Sequence, residues 1–292
     1  MTPSQTLIEG LKKRMLPDGG FAFFNGGSYR TDATAWAIIG LRSAGEGETL
    51  LEPGLNRLAG DQMRDGRVVT SPDAPDAFWV TPLAVLAWHG SERHKENMNR
   101  AVEFLSSTSG EHWEKQKLAP VAHDPSIRGW SWTANVHSWV APTSYSLLAL
   151  RAAGKARHPR AEEAARMLMD RQLAAGGWNY GNTSVYGRQL YPQPDQTGVA
   201  LSALSPYVTK GEVIRSLEYL GREIGRIRTP LSLGWGLLGL GAWGDRPPGF
   251  MNWVRECVDR QNRRGTYNTQ EHSVLLLAIA GNRMLIEDTA KG

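Results

Sequence analysis

Two kinds of hydrophobic segment alternate along the chain. The first is apolar on every side. In residues 29–45, YRTDATAWAIIGLRSAG, the body from Ala35 to Leu41 carries no polar face, which is the pattern of a helix buried all round. Asp32 or Thr31 is placed to cap its start. Arg42 to Gly45 then supplies a basic turn and a glycine suited to a left-handed C-cap. The pattern returns as TPLAVLAWHG at 81–90, TSYSLLALRAAG at 143–154 and TGVALSALSPY at 197–207, then as LSLGWGLLGLGAWG at 231–244 and HSVLLLAIAG at 272–281. Aligned on Leu41, Leu86, Leu150, Leu204, Leu240 and Leu277, five of the six copies have a glycine four residues later. A repeat that fills the chain decides the architecture before any single residue does.

The second kind of segment precedes each of these and has one apolar face at helical spacing. Leu7, Leu11 and Met15 form one stripe, Val102 and Leu105 begin another, and Ala164 with Leu168 and Trp253 with Cys257 form two more. Charged residues fill the opposite faces, as in helices with one side in water. These segments end in a shared spacing: Gln62 to Gly66, Gln172 to Gly176 and Gln261 to Gly265, with Val68, Trp178 or Tyr267 two residues past the glycine. Met15, Gly19 and Phe21 fit the same frame. The glycine ends the helix with a positive φ, the glutamine amide bridges neighbouring helix ends, and the following side chain covers the joint.

Six outer amphipathic helices alternating with six inner apolar ones predict an all-α ring of helix hairpins filling residues 1–292 as one domain. Closure is expected because an open stack needs polar caps and neither end shows one; an open array is the alternative. Two long gaps, at about 107–140 and 179–195, fall between an outer and an inner helix and place both insertions on one rim, the usual location of a binding site in a repeat protein.

Composition narrows the reading. The 33 basic and 29 acidic residues form no run able to track a nucleic-acid backbone, so no nucleic-acid partner is expected. The opening MTPSQTLIEGLKKRML lacks the apolar core of a secretion signal, and the run from Leu231 to Trp243 is too short to span a bilayer. The one cysteine, Cys257, excludes an internal disulfide and fits a reducing compartment. A cytoplasmic location is expected. Eleven tryptophans are many for this length. Trp130, Trp132, Trp178 and Trp235 are read at turns between helices, where they plug junctions or line a cavity.

The Gln-xxx-Gly-x-aromatic spacing together with Asp32-Ala33-Thr34-Ala35 resembles the repeat superfamily of squalene and oxidosqualene cyclases and protein prenyltransferase β-subunits. The resemblance covers essentially the whole chain. It implies an (α/α)6 toroid with an aromatic-lined central cavity opening at the inner-helix N-termini. Class II terpene cyclases carry Asp-x-Asp-Asp-Thr-Ala there, and the middle aspartate protonates an alkene or epoxide. Asp32 takes that place, but Arg30 and Ala33 stand where flanking acids belong. A helix N-terminus and a nearby arginine both favour the ionised form, so capping is the stronger expectation for Asp32 and proton donation the weaker. Asp195, two residues before Thr197, occupies the same place in its own repeat and completes the candidate catalytic pair. The resemblance to prenyltransferases would bring a zinc held by Asp, Cys and His. Cys257 lies in an outer segment and His272 has no cysteine beside it, so neither metal nor cofactor is expected.

The remaining candidates bind rather than react. In the first insertion, His123 beside Asp124 is a base with its orienting partner, and Arg128 suits a phosphate or carboxylate. Trp130, Trp132, His137 and Trp139 join them; the structural alternative is a loop ordered by its tryptophans. Trp36 and Tyr145 on inner helices, Tyr180 and Arg188 with Tyr186 and Tyr191 in the second insertion, and His272 complete the set. The leading expectation is a terpene-cyclase-like toroid acting on or holding an apolar or isoprenoid small molecule, by Asp-initiated carbocation cyclisation if it is an enzyme. The alternatives are a non-catalytic lipid, small-molecule or peptide binder and a carbohydrate-active toroid. An open mouth is compatible with a homodimer or second subunit and with membrane-surface contact during substrate uptake.

Overall fold

The two segment classes become outer and inner helices. In the computed structural model, which describes residues 1–116 and 121–281, α1 (Pro3–Lys12) is outer and α2 (Thr31–Ser43) inner. The alternation continues with α3 (Glu48–Gly60) and α4 (Thr81–Trp88), α5 (Lys95–Ser107) and α6 (Val140–Ala152), and α7 (Pro159–Asp170) and α8 (Pro194–Leu204). It ends with α9 (Lys210–Glu223) and α10 (Pro230–Ala242), then α11 (Phe250–Asp259), the single turn α12 (Gln261–Arg264) and inner α13 (Thr269–Ala280). A two-stranded hairpin, β1 (Ser184–Val185) and β2 (Arg188–Gln189), sits in the second insertion. Residues 117–120 of the first insertion lie outside the described residues. Among the described residues no helix is long and apolar enough to cross a membrane.

Each hairpin joint is held by the residues that mark it in the sequence. Gln62 Nε2 donates to Gly66 O at 2.9 Å and to Asn97 O on α5 at 2.8 Å. Gln172 Nε2 likewise reaches Ser216 Oγ on α9 at 2.8 Å. Gly66 and Gly176 have φ of 93° and 92°, and a Cβ there would lie 2.2 Å from Arg100 O and 2.4 Å from Arg215 O, so the turn and the close approach both require glycine. In four of the six inner helices a threonine holds a residue of the preceding joint. Thr34, Thr81, Thr143 and Thr197 accept the backbone N–H of Phe21, Val68, Trp130 and Trp178 at 2.9–3.0 Å. Each buried hydroxyl thereby satisfies a backbone donor that water cannot reach.

The inner helices form a closed ring in the order α2, α4, α6, α8, α10, α13 and back to α2. Small residues set the inter-helix distances. A Cβ on Gly198 would meet Trp235 O at 2.2 Å, and one on Gly40 would meet Ser273 Cα at 2.7 Å. At the seam, Thr269 Oγ1 donates to Ala22 O at 2.7 Å. His272 Nδ1 faces Arg14 Nη1 at 3.2 Å and Asn268 O at 2.9 Å. Burial, then the Arg14 charge, pushes His272 down to about 4. The imidazole is therefore neutral in the folded ring and charged in the unfolded chain below its ordinary value near 6.5.

The unfolded state then binds the extra proton, so stability is complete above about pH 6.5 and is lost as pH falls toward 4. We expect this seam to give up on the order of 2–3 kcal/mol over that window. Urea midpoints at pH 7.5 and pH 5 should show it, and His272→Gln should flatten the difference. An equal pH dependence in the variant would place the acid lability elsewhere.

Two readings of local structure change. Neither Asp32 nor Thr31 caps α2: the N-cap is Arg30, with no side-chain cap bond, and Thr31 and Asp32 are the first two helical residues. Trp235 is not at a turn but inside α10, 3% exposed.

Candidate functional site

The N-termini of the inner helices share one rim, and equivalent positions can be counted from each N-cap. Six residues past the N-caps Arg30, Trp139 and Thr229 stand Trp36 on α2, Tyr145 on α6 and Trp235 on α10. These are alternate helices of the ring. Their rings meet on its axis, with centroids 5.8 Å apart for Trp36–Tyr145, 6.1 Å for Trp36–Trp235 and 5.8 Å for Tyr145–Trp235. The two contacts of Trp36 are edge-to-face, a geometry that adds about 0.5–1.5 kcal/mol each beyond burial. At this depth the axis is filled by three buried aromatic side chains rather than lined as an open cavity.

The aromatic layer continues upward on one side. Trp132, from the first insertion, lies 6.4 Å from Tyr145, and Trp79, just before α4, lies 5.3 Å from Trp132. Both are half-buried. The result is a run of rings from the axis to the solvent, Trp235–Tyr145–Trp132–Trp79.

The second residue past the N-cap is polar in three inner helices, Asp32, Asp195 and Gln270, and the last two edge this run at Tyr145. Asp195 Oδ2 accepts from Gln196 Nε2 at 2.9 Å. Its charge acts on the Tyr145 phenol, which is pushed up first by burial and then by Asp195, while the Gln270 side chain reaches the same phenol. Tyr219 is pushed up to about 12 by burial, Glu223 and Asp195. Two buried polar atoms of the region, Trp36 Nε1 and Gln196 Oε1, have no hydrogen-bond partner among the described residues. They are the donor and acceptor left for a bound molecule or water.

Asp32 belongs to a different arrangement. Arg30 Nε and Nη2 donate to its two carboxylate oxygens at 2.9 and 2.8 Å, and Arg30 also stacks over Phe23 at 4.3 Å. The side chain is 3% exposed. A bidentate guanidinium occupies both oxygens, leaving neither turned to the aromatic run. Asp32 and Asp195 share the rim, but α2 and α8 are three steps apart in a six-membered ring. They face each other across the axis and do not form an adjacent acid/base pair.

The first insertion divides its candidates. Asp124 does not orient His123: its Oδ1 accepts from Ser126 N at 2.9 Å and Ser126 Oγ at 2.7 Å, an Asx turn. Arg128 is exposed and paired with Glu163 at 2.9 Å, away from the mouth. Trp130 is 1% exposed, donates from Nε1 to Leu105 O at 3.1 Å and lies under Arg160, so it plugs a junction just as Trp178 does through Leu168 O. Trp132 turns to the axis. His137 stacks on Trp139, the N-cap of α6, at 4.7 Å.

In the second insertion Tyr180, Tyr186 and Tyr191 are exposed and Arg188 stands on the hairpin facing solvent. None of these four is placed at the aromatic run. His272 belongs to the seam, and Cys257 is buried in α11 with Sγ 3.6 Å from Tyr267 Oη.

Gln270, Gln196 and Trp79 were not among the sequence candidates, and Trp235 was read only as a turn tryptophan that plugs a junction or lines a cavity. Gln270 and Trp235 carry a signal only when the repeats are aligned on their N-caps, which the sequence pattern leaves one or two residues loose.

The fold class is that of α/α toroids. The chain superposes on a variant of the type II terpene cyclase MstE from Scytonema, in complex with geranylgeranyl dihydroxybenzoate, with a TM-score of 0.66 and 10% identity over 97% of each chain. The GH76A alpha-1,6-mannanase from a Salegentibacter species matches with a TM-score of 0.60 and 12% identity, over 97% of this chain and 98% of that one. A protein from Actinoplanes matches with a TM-score of 0.62 and 16% identity over 97% and 99%. No protein-family model matches the chain, and no curated protein matches it in sequence. At these identities the similarity is one of fold, shared by terpene cyclases and a glycosidase.

Proposed function

We propose that the protein takes an apolar, isoprenoid-type molecule at the N-terminal rim of the ring. The half-buried rings of Trp79 and Trp132 would hold its chain above Tyr145. Asp195 is the carboxyl group beside that wall that would act as acid or base, whereas Asp32 serves the scaffold through Arg30. The observation that carries this reading is the continuous aromatic run ending at Tyr145 with Asp195 next to it. Flat, polarisable rings favour alkyl chains and developing cations alike. The likeness in fold to a cyclase that holds a geranylgeranyl compound supports the same ligand class. A glycosidase reading would need two carboxylates flanking one bond, and Asp32 is committed to Arg30.

Retention of the ligand without turnover is a second reading, favoured by that same Arg30–Asp32 pair, since it removes the acid that the motif provides in class II cyclases. Incubation with squalene, oxidosqualene and linear prenyl diphosphates tests both, with native mass spectrometry and product extraction as readouts. A retained prenyl compound with product supports the enzyme, and one without product supports the binder. Quenching of tryptophan fluorescence by manno-oligosaccharides, with no effect of any prenyl compound, would overturn the ligand class.

A further inference from the structure

A cavity lies away from the ring axis, between the two insertions. It measures about 170 Å³ and is lined by His123, His137, Ser138, Arg171 and Asn182, with Trp113 and Ile127 among its apolar walls. That volume is several times the share of one water molecule, about 30 Å³. Arg171 is 4% exposed and His123 6% exposed. Arg171 ties the insertions together through Gly181 O at 3.0 Å and Asp124 O at 3.4 Å, and its Nε faces Asp170 at 3.4 Å without hydrogen-bond alignment. His123 Nδ1 is buried and has no hydrogen-bond partner among the described residues.

We infer that this cavity is a binding site for a small oxyanion, a carboxylate or phosphate-type group received by Arg171 and His123. The unpartnered imidazole nitrogen is a ready donor, and the guanidinium beside it gives the site its sign, since a cation would be placed against a buried positive charge. Two of the neighbouring acids are occupied. Asp170 accepts from Asp124 N at 2.8 Å and pairs with Arg171, and Asp124 is held by Ser126. Glu111 is a further acid in the lining, and Lys115 is the other cation acting on His123. His123 is driven down to about 3 by burial, then by Arg171, His137 and Lys115, with Asp124 opposing weakly. His137 is lowered by burial and Arg171. Both rings are neutral near pH 7, and an anion among them would make protonation easier, so binding and proton uptake are coupled. The site is independent of the isoprenoid reading, because none of its residues lies in the aromatic run.

The test uses protein labelled with ¹⁵N in its histidine rings, titrated with sulfate, phosphate and acetate at fixed ionic strength in chloride. Sulfate keeps its charge across the pH range, so it serves for the pH arm. We expect saturable shifts of His123 and His137, weakened about tenfold or more in His123→Gln and Arg171→Gln, and tighter sulfate binding at pH 5.5 than at pH 7.5. Tighter acetate than sulfate would assign the carboxylate class, and the reverse the phosphate class. If Arg171→Gln fails to fold, His123→Gln alone decides. Linear or absent shifts, or equal affinity in the folded His123→Gln protein, would overturn the site.

Discussion

Trp36→Ala should lower the stability of the ring by about 3–5 kcal/mol. Trp36 is 1% exposed and touches both Tyr145 and Trp235 across the axis. Its removal forfeits transfer energy and two edge contacts, and it opens a void that three converging helices cannot close. Chemical denaturation with the midpoint and slope both recorded measures the loss. Trp36→Phe should recover much of it, because one buried donor without a partner disappears along with the indole. Trp79→Ala, at the half-buried outer end of the run, should cost far less stability while weakening prenyl binding. A small effect of Trp36→Ala would mean that the axis is not where the ring gains its packing.

Asp195→Asn and Asp32→Asn should separate cleanly. For an enzyme of the proposed kind, removing Asp195 should lower turnover by about 10²- to 10⁴-fold, the usual contribution of a positioned acid or base. Asp32→Asn should leave turnover per folded molecule close to that of the wild type. It should instead cost on the order of 1–2 kcal/mol of stability. Asp32 is buried, but its partner Arg30 is 47% exposed, which puts the loss below that of a fully buried pair. The paired measurement is product formation and urea midpoint on the same preparations. The reverse pattern, with Asp32 essential and Asp195 dispensable, would return the acid to the position that the cyclase motif gives it and sink the assignment made here. Equal loss of prenyl retention in both variants, without any turnover in the wild type, would favour the binder.

The Arg30–Asp32 pair shows why one motif can serve two ends. Asp32, Thr34 and Ala35 keep the letters of the cyclase motif, yet Thr34 has a role that needs no substrate: it accepts Phe21 N and donates to Arg30 O, both at 2.9 Å. Thr81, Thr143 and Thr197 also accept the backbone N–H of the joint residue in their own repeats, and each donates back to that same residue's carbonyl, Val68, Trp130 or Trp178. The threonine is therefore part of the hairpin joint. His272 takes the corresponding place in α13, four residues past the N-cap, and accordingly bonds to Asn268 O.

Much of the architecture was legible in the chain because it is local and periodic. All-round apolar segments of Ala, Leu, Ile and Gly can only be inner helices, one-faced segments can only be outer ones, and the Gln-to-Gly spacing forces a turn at Gly66 and Gly176. Closure followed from the lack of polar ends, and the structure realises it in the contact of Gly40 with Ser273. The mouth was legible only in outline. That Arg30 folds back onto Asp32 depends on a rotamer, not on spacing. That Asp124 turns to Ser126 while His123 is left alone depends on the path of an irregular loop, to which helical periodicity does not apply. The meeting of Trp36, Tyr145 and Trp235 arises because closing the ring brings alternate helices to the same height. Residues 109 and 90 positions apart acquire contact only through that closure, so sequence determined which side chains point inward, and the tertiary structure alone decided which of them meet.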